Sequence, residues 1–321
     1  MDINKIKNVT VAGCGTQGSQ IASQIAYKGF NVTVWVRSEA SIGRAKPRLA
    51  AIREQYAAAL EGWKKDPAQY CRGLSDEKDL TEEQIDALEK IGLAGIDSIK
   101  LETDYYKAFS DADIVVECIN ENPDEKRAFY KELAKHLPEK TILLTDSSTF
   151  MPSSFMEDTG RPDKYMTLHF ANQIWKNNLA EVMKTSKTSE EVFELVQEFA
   201  KKMGMVPLKL YKEQPGYILN TLLIPWFKAA LYLAATGVSD PETIDLTWVL
   251  DTGADPGQAP FRKLDKIGLV LCYKIFSMDP EASKPGTVMN QIGNYLKKYI
   301  DAGKTGIAVG EGFYKYENYD K

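Results

Sequence analysis

Two residues that can exchange a proton lie twelve positions apart near the middle of the chain. His169 ends a short apolar run that begins at Tyr165, and Glu181 opens a second such run. A carboxylate that accepts a hydrogen bond from an imidazole fixes its tautomer and raises its basicity, which is how a general base is built. Two neighbouring strands would bring such side chains together at the edge of a sheet. We predict that this pair meets; the alternative is a packed histidine and a solvated glutamate.

The composition indicates a globular protein of a reducing compartment. The 321 residues suffice for two domains, and a net charge of −5 argues against binding to nucleic acid or to an anionic membrane. Four scattered cysteines and two histidines exclude a Cys/His metal cluster, so we expect no metal. The first residues lack the apolar stretch of a signal peptide, and we expect a cytoplasmic protein. The apolar stretch 217–238 contains Asn220, Pro225 and Lys228, and we interpret it as a buried helix rather than a membrane span.

A glycine-rich turn after the first apolar run predicts a dinucleotide-binding site. Residues 6–12 and 31–36 are typical of strands, and the apolar residues between them recur at helical spacing. In such a unit one glycine permits a tight turn, one lets the backbone approach a pyrophosphate and one allows close helix packing. The helix that follows directs its N-terminus at the anion. The residues of this turn are Gly13, Gly15, Thr16, Gln17 and Gly18.

The end of the second strand bears on the choice of cofactor. NAD-binding proteins place Asp or Glu about 20 residues after the glycines, to bind the ribose 2′-hydroxyl. Here Arg37, followed by Ser38, stands 19 positions after Gly18. A guanidinium cannot accept that hydrogen bond, but it can pair with a 2′-phosphate. We therefore predict NADP(H). NAD(H) is the alternative, in which Arg37 stacks on the adenine and Glu39 takes the acidic role.

The remaining pattern predicts a Rossmann-type α/β N-terminal domain with an inserted helical hairpin, followed by an all-helical C-terminal domain. We place the first domain at 1–210, the insertion at about 41–99, and the helical domain at 211–321. We expect Pro47 in the first turn of its helix, where proline is tolerated. Polar residues follow two buried strands, and in open α/β sheets this edge holds ligands. They are Glu121 and Asn122 after one strand, and Asp146, Ser147 and Ser148 after the next.

Seven motifs together resemble the L-3-hydroxyacyl-CoA dehydrogenase family, which includes 3-hydroxybutyryl-CoA dehydrogenases. They occur in the family's order and cover nearly the whole chain. They are the glycine motif, Val-Val-Glu-Cys-Ile-Asn-Glu-Asn at 115–122 with Lys126, Asp146-Ser147-Ser148, His169-Phe-x-Asn172 with Glu181, Pro-Gly-Tyr-Ile-Leu-Asn at 215–220, Ala-Pro-Phe at 259–261 with Leu264-Asp265, and Gly-Glu-Gly-Phe-Tyr at 310–314.

The resemblance implies interconversion of (S)-3-hydroxyacyl-CoA and 3-oxoacyl-CoA of short chain length by hydride transfer. It implies that His169 is the general acid/base and that Glu181 orients it. It implies that Ser147 and Asn220 surround the reacting oxygen and the thioester. Asn172, in the same motif as His169, is a further candidate for substrate binding.

The resemblance also implies where cofactor, substrate and partner bind. Glu121 and Lys126 would lie by the nicotinamide end of the cofactor. The helical insertion would lie along the CoA of an acyl-CoA substrate, and among its basic residues Lys64 and Lys65 are candidates for contact. The C-terminal helical domain would form a homodimer.

Several positions depart from the family pattern, which usually reads His-Phe-Phe-Asn-Pro after the strand. Here Ala171, Gln173 and Trp175 change the loop between the two proton-exchanging residues, Thr221 stands where arginine is usual, and Ala259 replaces a glycine. Three alternatives therefore stay open. They are a dehydrogenase of a free 3-hydroxy acid such as a sugar acid or carnitine, a 6-phosphogluconate-type dehydrogenase, and a non-catalytic NADP-binding relative. The second is disfavoured because the residue four before Asn220 is glycine rather than lysine.

Overall fold

The structure, a computed structural model, describes residues 2–316 as two compact units. The units divide between Ile218 and Leu219. The last strand of the first unit ends at Leu210, where the domain boundary was expected, and the units divide further along the chain. The connecting residues still bond to the first unit, since the backbone NH of Ser153 donates to Glu213 at 2.8 Å.

An eight-stranded sheet forms the centre of the first unit. The strand order is β3-β2-β1-β4-β5-β6-β7-β8, and every neighbouring pair is parallel except the antiparallel pair β6 and β7. The strands are β1 Asn8–Ala12, β2 Asn31–Trp35, β3 Lys100–Glu102, β4 Ile114–Glu117, β5 Ile142–Thr145, β6 Tyr165–Phe170, β7 Leu179–Lys184 and β8 Val206–Leu210.

The central strands are apolar on both faces, as a parallel sheet covered by helices requires. All four residues of β4 and of β5 are buried. The helices of the first unit are α1 Thr16–Tyr27, α2 Glu39–Lys65, α3 Glu82–Asp97, α4 Tyr105–Phe109, α5 Pro123–Leu133 and α6 Glu190–Lys202. The predicted Rossmann-type arrangement is confirmed; the short edge strand β3 was not predicted.

The helical insertion consists of α2 and α3. Thr81 caps α3, and Gln84 completes a capping box with it. The expectation that Pro47 lies in the first turn is wrong, because Ser38 caps α2 and the helix begins at Glu39. Pro47 therefore lies inside the helix, where proline removes one backbone hydrogen bond and crowds the carbonyl four residues earlier. That carbonyl belongs to Gly43, whose lack of a side chain leaves room for adjustment.

The second unit is helical, as expected. Its helices are α7 Tyr217–Ala235, whose first two residues belong to the first unit, α8 Pro241–Thr252, α9 Pro260–Ile267, α10 Leu269–Ser277 and α11 Val288–Asp301. Its core packs apolar side chains of α7, α9, α10 and α11 around Phe261 and Leu264.

The expectation that α7 is a buried helix is wrong for a single copy of the chain. Leu231 is fully buried, but Leu222 is 68% exposed and Tyr232 is 41% exposed. Helix α7 is also the one described helix that is long and apolar enough to cross a membrane, on length and composition alone. A single such helix is weak evidence, since core helices meet the same criterion. The predicted homodimer, which would cover exposed apolar residues, stays a prediction.

Candidate active site

The glycine turn joins β1 to α1 and leaves open space at one position. Gly13 has a φ of +107°, and an added Cβ there would lie 2.6 Å from the carbonyl oxygen of Cys118. A side chain at Gly18 would collide with Gly13 itself. At Gly15, by contrast, a Cβ would meet no described atom within 4 Å. Because packing demands the outer two glycines and open space surrounds the middle one, the turn fits the approach of a pyrophosphate.

His169 and Glu181 meet as predicted. They are directly opposite residues of the antiparallel pair β6 and β7. The distance from imidazole Nδ1 to carboxylate Oε2 is 2.9 Å, and the two residues are 4% and 0% exposed. A carboxylate only accepts hydrogen bonds, so Nδ1 carries a proton and Nε2 of a neutral imidazole is an acceptor. The register of two strands therefore sets the tautomer of the imidazole.

The hydroxyl against this imidazole belongs to Ser148. Its Oγ lies 2.9 Å from His169 Nε2. The resemblance implied that Ser147 lies by the reacting oxygen of the substrate; in this structure the Ser147 hydroxyl donates to Glu121 Oε2 at 2.8 Å. Ser147 also accepts from the backbone NH of Phe150, at 3.0 Å, so it shapes the turn after β5. The two adjacent serines thus have different partners, and the structure brings Ser148 to the imidazole.

A third wall of the site comes from the start of α7. Tyr217 stacks on the His169 ring, with centroids 4.3 Å apart and planes 10° apart. Its hydroxyl donates to the carbonyl of Ser147. The backbone NH of Ile218 donates to Glu181 Oε1 at 2.8 Å, so both carboxylate oxygens of Glu181 are engaged. Sequence reasoning assigned no role to these two residues.

Buried polar groups support the end of β4. Glu117, which ends β4, is 0% exposed and lies 2.6 Å from the Lys126 Nζ. Tyr130 and Thr145 donate to its other oxygen at 2.6 and 2.8 Å. Lys126 is itself 1% exposed, and its distance to Glu121 Oε1 is 4.0 Å. The positive charge of Lys126 is thus paired with the Glu117 carboxylate inside the protein.

Asp146 is a buried acid at the same edge of the sheet. Burial raises the pKa of its carboxyl well above the ordinary value, and the hydrogen bond from the Phe170 backbone opposes that shift. The nearby negative charges of Glu117 and Glu121 raise the pKa further. Both causes act against the charged form of this carboxyl.

The residues predicted to select the cofactor surround the start of α2. Arg37 is 68% exposed at its side chain, and its NH1 lies 3.8 Å from Glu125 Oε2. The preceding residue, Val36, is buried and uncharged. Arg44 donates to the Ser41 hydroxyl at 2.8 Å, which places a second guanidinium near the same helix end. Glu39, the alternative ribose acceptor, instead accepts from Thr103 at 3.4 Å.

The two lysines proposed for CoA differ in surroundings. Lys64 is 13% exposed at its side chain and pairs with three carboxylates, with distances of 2.5 Å to Glu61, 2.5 Å to Asp86 and 2.8 Å to Glu89. A phosphate approaching this ammonium would meet that excess of negative charge. Lys65, the next residue, is exposed. Lys64 therefore links α2 to α3 through its ion pairs with Asp86 and Glu89.

The loop between His169 and Glu181 is anchored on the helical insertion. Trp175 is 2% exposed, and its ring packs at a tilt of 47° against Tyr56 with centroids 4.9 Å apart. Its backbone carbonyl accepts a hydrogen bond from the backbone NH of Gly73 at 3.0 Å. A Cβ at Gly73 would lie 2.7 Å from Trp175 backbone atoms. Gln17 of the glycine turn donates to the carbonyl of Phe170 at 3.2 Å. Glycine turn, insertion and loop are therefore joined at this end of the sheet.

Asn172 and Asn220 complete the predicted substrate residues. Asn172 is exposed in this loop, and its carbonyl accepts from the Asn177 side chain at 2.7 Å. Asn220 lies in the first turn of α7, in the second unit. The first unit therefore assembles His169, Glu181 and Ser148, while Asn220 follows in the next unit.

Two protein-family models together match nearly the whole chain. The NAD-binding domain of 3-hydroxyacyl-CoA dehydrogenase matches residues 8–214, and the C-terminal domain of the same enzyme matches residues 216–316. The chain belongs to the 3-hydroxyacyl-CoA dehydrogenase family. The family consists of oxidoreductases that act on CH–OH groups, and its NAD-binding domain supports a nicotinamide cofactor here.

Relatives of this dehydrogenase family member share about a third of its residues over nearly its full length. A probable 3-hydroxybutyryl-CoA dehydrogenase of Bacillus subtilis is 32% identical, and the match covers 98% of each chain. Human mitochondrial hydroxyacyl-coenzyme A dehydrogenase is 30% identical, over 97% of this chain and 92% of that protein.

Two solved structures are also similar. A diketoreductase described as catalysing dual reactions of dicarbonyl compounds is 41% identical, with a TM-score of 0.80 over 97% of this chain and 99% of that one. The (S)-3-hydroxybutyryl-CoA dehydrogenase PaaH1 from Ralstonia eutropha is 25% identical, with a TM-score of 0.73 over 98% of this chain and 100% of that one.

Proposed function

We propose that the protein is an NADP(H)-dependent dehydrogenase that interconverts short-chain (S)-3-hydroxyacyl-CoA and 3-oxoacyl-CoA. The observation that carries the proposal is the His169 imidazole, held at the end of β6 between the Ser148 hydroxyl and the Glu181 carboxylate. The open glycine turn, where the cofactor's pyrophosphate fits, lies at the same end of the sheet. The family to which the chain belongs supports the reaction class.

The proton path follows from the tautomer. The nicotinamide, when bound, accepts or supplies the hydride at the substrate carbon. His169 Nε2 takes the hydroxyl proton in oxidation and returns it to the carbonyl oxygen in reduction. Ser148 holds the oxygen near Nε2 by a hydrogen bond, and Glu181 stabilises the imidazolium. These three residues thus bind, orient and move one proton.

The proposed preference for NADP(H) rests on Arg37, which stands where NAD-binding proteins place an Asp or Glu. Val36 and Arg37, which follow β2, carry no carboxylate, and Glu39 accepts a hydrogen bond from Thr103. The exposed guanidinium of Arg37 at the N-terminal end of α2 suits a 2′-phosphate.

We expect Arg37→Asp to shift the preference toward NADH. One charge-assisted hydrogen bond contributes about 1.5–3 kcal/mol, so the ratio of kcat/KM for NADPH over NADH should fall roughly 10- to 100-fold. Steady-state kinetics with both cofactors measure this ratio. Lys274→Asp makes the same change of charge on an exposed position of α10 and should leave the ratio unchanged. An unaltered ratio in Arg37→Asp would contradict the proposed role.

A second candidate function is the reduction of a dicarbonyl compound that carries no CoA. Two observations favour it. The ammonium of Lys64 is neutralised by three carboxylates rather than free for a CoA phosphate. The diketoreductase is also more similar in sequence, at 41% identity, than the human, Bacillus subtilis and Ralstonia eutropha hydroxyacyl-CoA dehydrogenases, at 25–32%.

We expect acetoacetyl-CoA to be reduced with a higher kcat/KM than free acetoacetate. The physical reason is that binding energy from the non-reacting CoA can be used to orient the reacting carbon. The loss of NADPH absorbance measures the rate of both reactions. Lys65→Ala probes the exposed lysine of the insertion, and Lys274→Ala is its control. Turnover of acetoacetate or another free dicarbonyl without turnover of acetoacetyl-CoA would replace the first candidate by the second.

A further inference from the structure

Tyr217 closes one face of the proposed acid/base. Its ring is 0% exposed and lies almost parallel to the imidazole of His169, with centroids 4.3 Å apart. The two imidazole nitrogens point in the ring plane toward Glu181 and Ser148, each at 2.9 Å. The stack therefore restrains the remaining motion, which is rotation of the imidazole out of that plane.

The backbone that carries Tyr217 is held in an unusual conformation. Its φ is +55°, in the left-handed region, directly after Gly216 at +77°. Gln173, in the loop between β6 and β7, is the other non-glycine residue with positive φ among residues 2–316. Such conformations are unfavourable for large side chains and persist where the surroundings enforce them, often at functional sites. Of these two residues, Tyr217 is the one whose side chain contacts the imidazole.

The contacts of this short segment reach both members of the dyad. Tyr217 covers the His169 ring, and its hydroxyl is fixed by the carbonyl of Ser147. The next residue, Ile218, donates its backbone NH to the Glu181 oxygen that does not face the imidazole. One turn of chain thus fixes the base and the carboxylate that orients it.

We infer that Tyr217 is a positioning residue for His169, whose ring face keeps the imidazole aligned for proton transfer and stabilises its protonated form. This inference rests on the proposed acid/base function of His169. The electron-rich face of a phenol attracts a cation placed over it. Burial raises the pKa of the Tyr217 hydroxyl, so that it stays a neutral donor. The titratable groups acting around the stack are Asp146, Glu121 and Glu181.

Three substitutions separate the ring from the backbone. Tyr217→Phe keeps the stacked face, Tyr217→Leu removes it, and Tyr217→Gly removes it while relieving the backbone strain. We expect Phe to retain kcat within about threefold, whereas Leu and Gly lower kcat roughly 10- to 100-fold with little change in KM, as for a misplaced catalytic group. Phe199→Leu, which removes a buried aromatic packed on Phe30, controls for general loss of packing.

The pH profile gives a readout that packing alone would not move. Without the Tyr217 ring, the protonated imidazole of His169 is less stable. The limb of the pH profile that His169 governs should therefore shift to lower pH in both reaction directions, by about half a unit to one and a half units. The chain has only two histidines, so NMR of a His136→Gln background reads His169 directly. The ring protons of His169 should lose their upfield ring-current shift in Leu and Gly and keep it in Phe.

The outcomes distinguish this inference from the proposed function. An unchanged pH profile and unchanged kcat in folded Tyr217→Leu would overturn the role of Tyr217 while leaving that of His169 intact. Wild-type activity in Tyr217→Gly would do the same. An unchanged His169 ring-current shift in Tyr217→Leu would refute the stack itself. Full activity in a His169 variant would instead remove the proposed acid/base, and the NMR shifts would still report whether the stack exists.

Discussion

Replacing His169 by alanine should lower kcat for the reduction of acetoacetyl-CoA about 10²- to 10⁴-fold, the usual contribution of a positioned acid/base. The substitution removes the group that lies 2.9 Å from the Ser148 hydroxyl. Water in the vacated space can exchange a proton with the substrate, but it is not held at the required angle. The decrease should appear in kcat and in kcat/KM together, since the lost interaction belongs to the transition state.

The chain supplies a matched control for this experiment. His136, its other histidine, lies after α5, where its Nε2 is 3.0 Å from Glu132 and its ring stacks on Tyr105. His136→Ala should retain full activity. Binding of NADPH, followed by fluorescence titration, should be similar in both variants, because the glycine turn is untouched. A His169→Ala enzyme with wild-type turnover would show that another group moves the proton.

The fold was predictable because it depends on local patterns. Alternating and continuous apolar runs define the strands, and Gly13 and Gly18 are demanded by contacts that no other residue could make. The meeting of His169 and Glu181 was predictable for a related reason. Both lie close to the short connection between successive strands, and such a connection favours an antiparallel pair in which residues near it are opposite each other.

Other parts of the site depend on contacts that no local pattern contains. Ser147 and Ser148 have identical side chains, and the path of the backbone after β5 decides which hydroxyl meets the imidazole. The surroundings of Lys64 depend on Asp86 and Glu89, which arrive from a different helix. Tyr217 gave no chemical signal in the sequence, because stacking is a property of two distant segments. Local patterns therefore indicate where polar residues gather, but contacts between distant segments decide which of them pair.

The buried ion pair of Glu117 and Lys126 should make the sheet sensitive to the loss of one partner. Lys126→Met is expected to lower the free energy of unfolding by about 3–5 kcal/mol, because it leaves a fully buried carboxylate without its cation. The hydrogen bonds from Tyr130 and Thr145 remain, but neutral donors compensate a buried charge incompletely. Urea unfolding followed by circular dichroism measures the change.

A second substitution tests whether the buried charge, rather than the lost packing, causes the effect. Glu117→Gln combined with Lys126→Met removes both charges and keeps an amide that can accept hydrogen bonds, so it should destabilise less than Lys126→Met alone. Lys297→Met removes an exposed partner of Asp301 and should cost at most about 1 kcal/mol. If the loss of unfolding free energy in the double variant equalled the sum of the losses in the two single variants, the ion pair would not act as a unit. The sensitivity would then lie in the shape of the core around β4, and the burial of Lys126 would serve packing rather than charge compensation.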